Sequence, residues 1–275
     1  MHAYLLGAVT PRPIALASTI DKDGHVNLSP FSFFNCFGTN PPILIFAPSR
    51  RGRDNTTKHT HENVLEVAEV VIHIVSYSMV QQMSLSSAEY PRGVDEFIKA
   101  GFTPIPSTVV KPPRVSEAPV AFECKVTQVV PTGEHGGAGI LLICEILLMH
   151  IQDEMLDADG LIDPFRLDVI GRLGSDWYCR VQDDSIFRVP KPLSRLGIGF
   201  DRIPDKIRRS RVLTGNDLGQ LASVVELPEG TVTLDSQARE ALKVAAAKGE
   251  DAIHSLAKGF IEAGRIEDAW RILLA

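Results

Sequence analysis

Paired cysteines, long apolar runs, an excess of positive charge and the common nucleotide fingerprints are all missing from this sequence, and each absence removes a class of function. The four cysteines, Cys36, Cys124, Cys144 and Cys179, form no C-x-x-C pair. That excludes a zinc knuckle or dithiol centre and favours buried free thiols in a reducing compartment. No apolar run approaches the roughly 18 residues of a membrane span, and the N-terminus carries no basic region followed by an apolar stretch and cleavage site. A soluble, cytoplasmic protein with no membrane partner is expected. With 34 acidic against 28 basic residues the formal net charge is -6, so no global positive field attracts a nucleic acid and any anion must be held locally. The glycine-dense "GEHGGAG" at 133–139 lacks the Lys-Ser/Thr of a phosphate loop and reads as a hairpin tip, either a plain turn or a mobile tip beside a bound ligand. No G-x-S-x-G elbow occurs, and His59 and His61 have neither an H-E-x-x-H pattern nor a carboxylate at suitable spacing. They read as exposed histidines at a helix start, with no metal site expected.

What is present is a β-rich segment followed by a helical one. Short apolar or alternating runs at 14–19, 26–30, 43–47, 70–75, 121–130, 140–151 and 178–181 read as strands separated by turn chemistry. Asp21-Lys22-Asp23-Gly24 turns the first two into a hairpin, since Asp bonds its own backbone and Gly accepts positive φ. Helices are expected at 60–68 and within 89–100, and His73 reads as a satisfied strand residue. No regular strand-helix alternation occurs, so the fold class is mainly β, a closed or split barrel with short connecting helices. Beyond "RVPKPL" at 188–193 the texture becomes helical, with Asp235 or Ser236 as N-cap and Gly249 as a stop. The expected organisation is a barrel domain over 1–189 and a helical C-terminal extension over 190–275. The apolar stripe Phe260, Ile261, Ile266, Trp270 and Leu273 needs a partner surface, either the barrel or another subunit.

Two stretches carry the chemistry. In "NLSPFSFFN", residues 27–35, both sides of an ideal strand mix polar and aromatic groups, and Pro30 removes a ladder donor. This suits a strand end lining a cleft. In "APSRRGRDNTTKHTHEN", residues 47–63, Arg50, Arg51, Arg53 and Lys58 join small hydroxyls just before a helix start. Cationic donors beside free helix amides suit a phosphate; a solvated surface loop is the alternative. A flat ring with polar edges plus a phosphate describes flavin mononucleotide.

In order and spacing, "TPRPIALASTIDKDGHVNLSPFSFFN", "NPPILIF" and "SRRGRDNTTKHTHENV" resemble the flavin reductase-like, FMN-binding split-barrel family. The likeness is specific over residues 9–75, weaker to about 181, and does not include the tail. His59 departs from it, since the family usually has Asp between the Lys and the Thr. The resemblance implies a six-stranded antiparallel split barrel that forms a homodimer, with FMN in a groove near the dimer interface. It implies cofactor contacts from Ser18 and Thr19, from Ser32, Phe33, Phe34 and Asn35, and from Ser49, Arg50 and Arg51 with Lys58 and Thr60. Thr10, Arg12 and Pro13 open the motif, and Arg12 either reaches the ligand or covers the barrel end. Arg172 and Tyr178, in "GRLGSDWYCR", either contact the flavin or end the barrel core. The implied activity is that of an oxidoreductase in which NAD(P)H gives hydride to flavin N5, with no catalytic acid or base required of the protein. An FMN-bound electron carrier serving a redox partner protein, or a flavin-binding module without turnover, is the alternative.

Overall fold

Residues 1–191, 196–228 and 234–275 are described by the computed structural model, in which the chain divides into two units, Met1–Phe187 and Arg188–Ala275. The Pro-rich run at 188–193 ends outside the described residues, at Pro192 and Leu193.

In the first unit a short helix, α1 (His2–Ala8), precedes strands β1 (Ala15–Ile20), β2 (Val26–Phe31), β3 (Phe34–Thr39) and β4 (Pro42–Phe46). Helix α2 (His59–Glu66), strand β5 (Glu69–Ile74), helices α3 (Val80–Leu85) and α4 (Glu96–Ala100) and the short strands β6 (Pro104–Ile105) and β7 (Arg114–Val115) follow. The long hairpin β8 (Val120–Pro131) and β9 (Ile140–Ile151), helix α5 (Pro164–Leu167) and strands β10 (Ile170–Arg172) and β11 (Tyr178–Arg180) complete it. Seven strands make one antiparallel sheet in the order β2-β1-β5-β8-β9-β4-β3. Its two edge strands, β2 and β3, are consecutive in the chain. Laid flat, seven strands about 4.8 Å apart would separate those edges by about 29 Å. The three steps from Phe31 to Phe34 reach at most about 11 Å. The sheet is therefore rolled into a barrel split between β2 and β3, with Ser32 and Phe33 at the seam.

Side chains alternate accordingly. Ala15, Ala17, Leu44, Phe46, Ile72, Cys124 and Leu142 pack inside the roll. Leu16, Leu28, Met79, Met83 and Phe97 form a second core outside β1 and β2. There Glu96 of α4 accepts the Leu28 amide at 3.1 Å and so covers part of the exposed β2 edge. At one end of the barrel Asn27 donates to Thr60 Oγ1 at 2.9 Å and Asn63 to Thr19 Oγ1 at 3.2 Å, which fastens α2. The first turn forms as its residues dictate: Asp21 accepts from the Asp23 and His25 amides, and Gly24 has φ +93°.

Strand β3 departs from the sequence expectation, as do seven strands where six were implied. A bulge between Cys36 and Gly38 breaks its alternation, so no period-2 signal marks it. Its edge position also leaves Cys36 exposed, unlike the buried Cys124 and Cys144. The helix expected within 89–100 begins only at Glu96, behind the Asp95 cap, because Pro91 and Gly93 (φ +85°) turn the chain first.

The second unit contains α6 (Asp205–Arg208), α7 (Gly215–Leu221), α8 (Ser236–Lys248), α9 (Glu250–Glu262) and α10 (Ile266–Leu273). Asp235 caps α8, accepting the Ala238 amide at 2.7 Å. The apolar stripe needs no outside surface: Ile261 and Trp270 are buried and Phe260, Ile266 and Leu273 pack against the same core, which Ile203, Leu213, Leu218 and Leu221 supply from within this unit. Trp270 Nε1 donates to the Leu221 carbonyl at 3.0 Å.

Candidate functional site

The basic loop is built onto the seam. At the end of β4, the Ala47 amide donates to the Phe33 carbonyl at 2.9 Å, so the loop starts beside the split between β2 and β3. The tip of the β8–β9 hairpin then clamps it. The Arg50 amide donates to Ala138 O and the Gly137 amide to Arg50 O, both at 2.9 Å, and Ser49 bridges Gly139. Gly136 permits this approach, since a Cβ there would lie 3.0 Å from Arg51 O and 3.1 Å from Gly52 Cα. Arg50 is committed to the loop itself, donating to Asn55 Oδ1 and to Asn55 O at 2.7 Å each. Asn55, at φ +59°, donates in turn to Glu134 O at 2.9 Å.

The other cations converge. Arg51 donates through Nη1 to Thr56 Oγ1 at 3.0 Å and to the Thr57 carbonyl, and through Nε to Glu89 Oε1 at 3.3 Å. Arg53 Nη2 lies 2.5 Å from Glu89 Oε2, and Lys58 Nζ lies 3.9 Å from Glu89 Oε1. Among the described residues no acceptor comes within hydrogen-bond distance of the half-buried Lys58 ammonium. Burial, then Arg51, pushes its pKa down. Lys58 is also the N-cap of α2, where no side chain caps the helix. His59 and His61 are half-buried rather than exposed, and burial lowers both pKa values.

Next to Phe33 at the seam, Ser32 Oγ accepts from Arg12 Nε at 3.3 Å. Arg12 is buried. Its remaining donors reach the carbonyls of Leu6 (2.6 Å), Val9 (2.7 Å) and Leu173 (2.9 Å), and its backbone exchanges bonds with Arg172. Its guanidinium thus covers the barrel end and holds Ser32 from behind. Arg172 stacks on Tyr178, 4.5 Å from the ring centroid, and donates to its hydroxyl. Phe33 is exposed at the seam, Phe34 packs on the core, and exposed Asn35 accepts the Cys36 amide at 2.8 Å. Thr10 and Pro13 are exposed beside Arg12 in the chain.

The residues nominated by sequence therefore fall into two groups bridged by the Phe33–Ala47 bond: Arg12, Ser32, Arg172 and Tyr178, and Ser49, Arg50, Arg51 and Lys58. Ser18, Thr19 and Thr60 join neither surface. Ser18 faces away from the barrel interior beside Leu16 and Leu28, its buried hydroxyl without a hydrogen-bond partner among the described residues, while Thr19 and Thr60 are the acceptors that fasten α2. Glu89 is a member that the sequence does not reveal, and the 133–139 hairpin tip, legible as a turn, gives no sign in sequence that its backbone at 137–138 clamps the basic loop. Their contacts reach far along the chain, 38 residues from Arg51 to Glu89, and leave no local signature.

A family model for the flavin reductase like domain matches residues 6–165. An uncharacterized protein of Aquifex aeolicus is 41% identical over 180 residues, which is 66% of this chain and 89% of that protein. Nitrilotriacetate monooxygenase component B from Bacillus cereus superposes with a TM-score of 0.64 at 30% identity, covering 68% of this chain and 92% of the other. The 2-nitrobenzoate 2-nitroreductase of Pseudomonas fluorescens gives 0.59 at 30% identity, with 69% and 90% covered. The match spans more than half of the chain, which belongs to the flavin reductase like domain family.

Proposed function

We propose that the first unit binds FMN, with the phosphate at Arg51 and Lys58 and a polar ring edge at Ser32, and that the protein is an NAD(P)H-dependent flavin reductase. The observation that carries this is Lys58, an ammonium with no hydrogen-bond acceptor among the described residues, at an uncapped helix start beside Arg51. The donor set suits a phosphate monoester. Among the described residues Asp54 and Glu89 are the ion-pair partners of Arg51, Arg53 and Lys58, so with Arg50 the loop carries a net charge of about +2, opposite in sign to the ~-2 of a phosphate at neutral pH.

FMN held there would supply the redox chemistry, as the acceptor of a hydride from a reduced nicotinamide. The chain positions and polarises. Because Ser32 Oγ accepts from Arg12 Nε, its own O–H is free to donate to an acceptor on the ring edge. The buried guanidinium behind it favours negative charge developing there. Phe33 adds apolar surface for the ring. The likeness to a monooxygenase component and a nitroreductase supports a redox role.

A homodimer goes with this reading. Ile43, Ile45 and Ile143 point away from the barrel interior and are only half-buried, and Phe37 is 64% exposed on the edge strand β3. A second copy would cover this face, and light scattering on the flavin-loaded chain tests it. The experiment for the site is a pair of titrations. Lys58→Ala should weaken FMN by roughly ten- to a hundredfold, the loss of one charged hydrogen bond, and leave riboflavin nearly unchanged. Equal losses for both ligands would remove the phosphate from this loop.

A further inference from the structure

We infer that Glu89 is a built-in competitor of the ligand's phosphate, a carboxylate that occupies the cation cluster when no anion is bound and must be displaced for one to enter. This rests on the reading of the basic loop as the phosphate site. One oxygen of Glu89, Oε1, faces both Arg51 Nε at 3.3 Å and Lys58 Nζ at 3.9 Å, while Oε2 lies 2.5 Å from Arg53 Nη2. A phosphate that engages Arg51 and Lys58 therefore meets the same donors that Oε1 holds.

Two observations separate a competitor from a positioning residue. Arg51 is already fixed without Glu89: its Nη1 is held by Thr56 Oγ1 and the Thr57 carbonyl, and its amide donates to Thr56 O at 2.8 Å. Lys58 lies too far from Glu89 for a hydrogen bond, so the carboxylate screens its charge without directing it. Asp54 cannot take the same role. It accepts from the Thr56 amide and hydroxyl at 3.0 and 2.7 Å and pairs with Arg53, and so stays within its own turn.

Glu89 also has the freedom to withdraw. It sits on the connection between α3 and α4 with 39% of its side chain exposed, and Arg53, 70% exposed, offers it a partner outside the Arg51–Lys58 pair. Resident negative charge lowers the affinity of the cluster for a dianion and leaves a ligand without phosphate unaffected. The residue therefore sets how much of the flavin's affinity comes from its phosphate, and how readily FMN exchanges.

The test is fluorescence titration of the flavin-free full chain with FMN and with riboflavin, for the parent, Glu89→Gln, Glu89→Ala and Lys58→Ala, with near-ultraviolet circular dichroism to verify folding. Both Glu89 variants should bind FMN about tenfold more tightly, as expected for removal of a like charge from a partly desolvated site, with riboflavin changed by less than about twofold. Unchanged or weaker FMN binding in both, with a selective loss in Lys58→Ala, overturns the competition while the phosphate site stands. If Lys58→Ala shows no preference between the ligands, the phosphate reading fails and this inference fails with it.

Discussion

Acidification should unfold the barrel through His73, and the size of the effect can be worked out from its contacts. His73 lies in β5, fully buried, with Nδ1 donating to the Leu16 carbonyl at 2.8 Å and Nε2 accepting the Val115 amide at 2.9 Å. Only the neutral ring satisfies both bonds. A second proton would set Nε2 against an N–H. Burial accordingly pulls the pKa from 6.5 to about 4, against the Leu16 bond, which raises it, and with Arg114 and His150 lowering it further. The folded value lies below the unfolded one. The contribution is therefore complete above about pH 6.5 and is lost as pH falls toward 4, at about 1.4 kcal/mol per pH unit and about 3 kcal/mol in all. His73→Gln keeps a donor and an acceptor but does not titrate. The assay is urea unfolding of parent and variant between pH 7 and 4.5, followed by far-ultraviolet circular dichroism, with the imidazole titration read by NMR. The parent should lose about 2 kcal/mol more than the variant across that range. Identical slopes, or an imidazole midpoint near 6.5, would refute the assignment of the neutral ring to these two bonds.

Three further outcomes follow from the same structure. Gly136→Ala forces a Cβ to within 3.0 Å of Arg51 O. It should cost about 1–3 kcal/mol in stability and weaken FMN binding as the hairpin tip leaves the basic loop; thermal unfolding and a flavin titration check both, and unchanged values would mean that the tip does not support the site. Ser32→Ala should shift the bound flavin's midpoint potential and absorption envelope with the fold intact, and an unchanged potential would put the ring edge elsewhere. Trp270→Ala removes a buried indole and its bond to Leu221, so the second unit should lose about 3–5 kcal/mol, seen as an earlier unfolding transition.

The parts of the fold legible in sequence were those encoded locally. The Asp21–Gly24 turn, the short apolar run of β1 that it follows, and the helix formers with the Asp235 cap of α8 all depend on neighbours within a few residues. Strand β3 was hidden because its bulge removes the period and its phenylalanines resemble a cleft lining. The basic loop was visible as composition, but its closure was not. Nothing near Arg50 or Arg51 in the chain indicates that Ala138 and Glu89 complete their contacts. Ser18, Thr19 and Thr60 illustrate the converse limit. Small hydroxyls in a motif look like ligand contacts, yet the same groups can close a barrel end, and only the packing of α2 distinguishes the roles. The stripe of the C-terminal helices was likewise visible as a pattern, while its partners in the same unit, Ile203, Leu213, Leu218, Leu221 and Leu234, were not.

Whether this chain holds FMN where a nicotinamide can reduce it is decided by anaerobic stopped-flow mixing of the FMN-loaded protein with NADH and, separately, NADPH. Full and saturable loss of the flavin's visible absorbance with at least one of the two is the predicted result. No loss with either, in a sample that a chemical reductant bleaches completely, would contradict it.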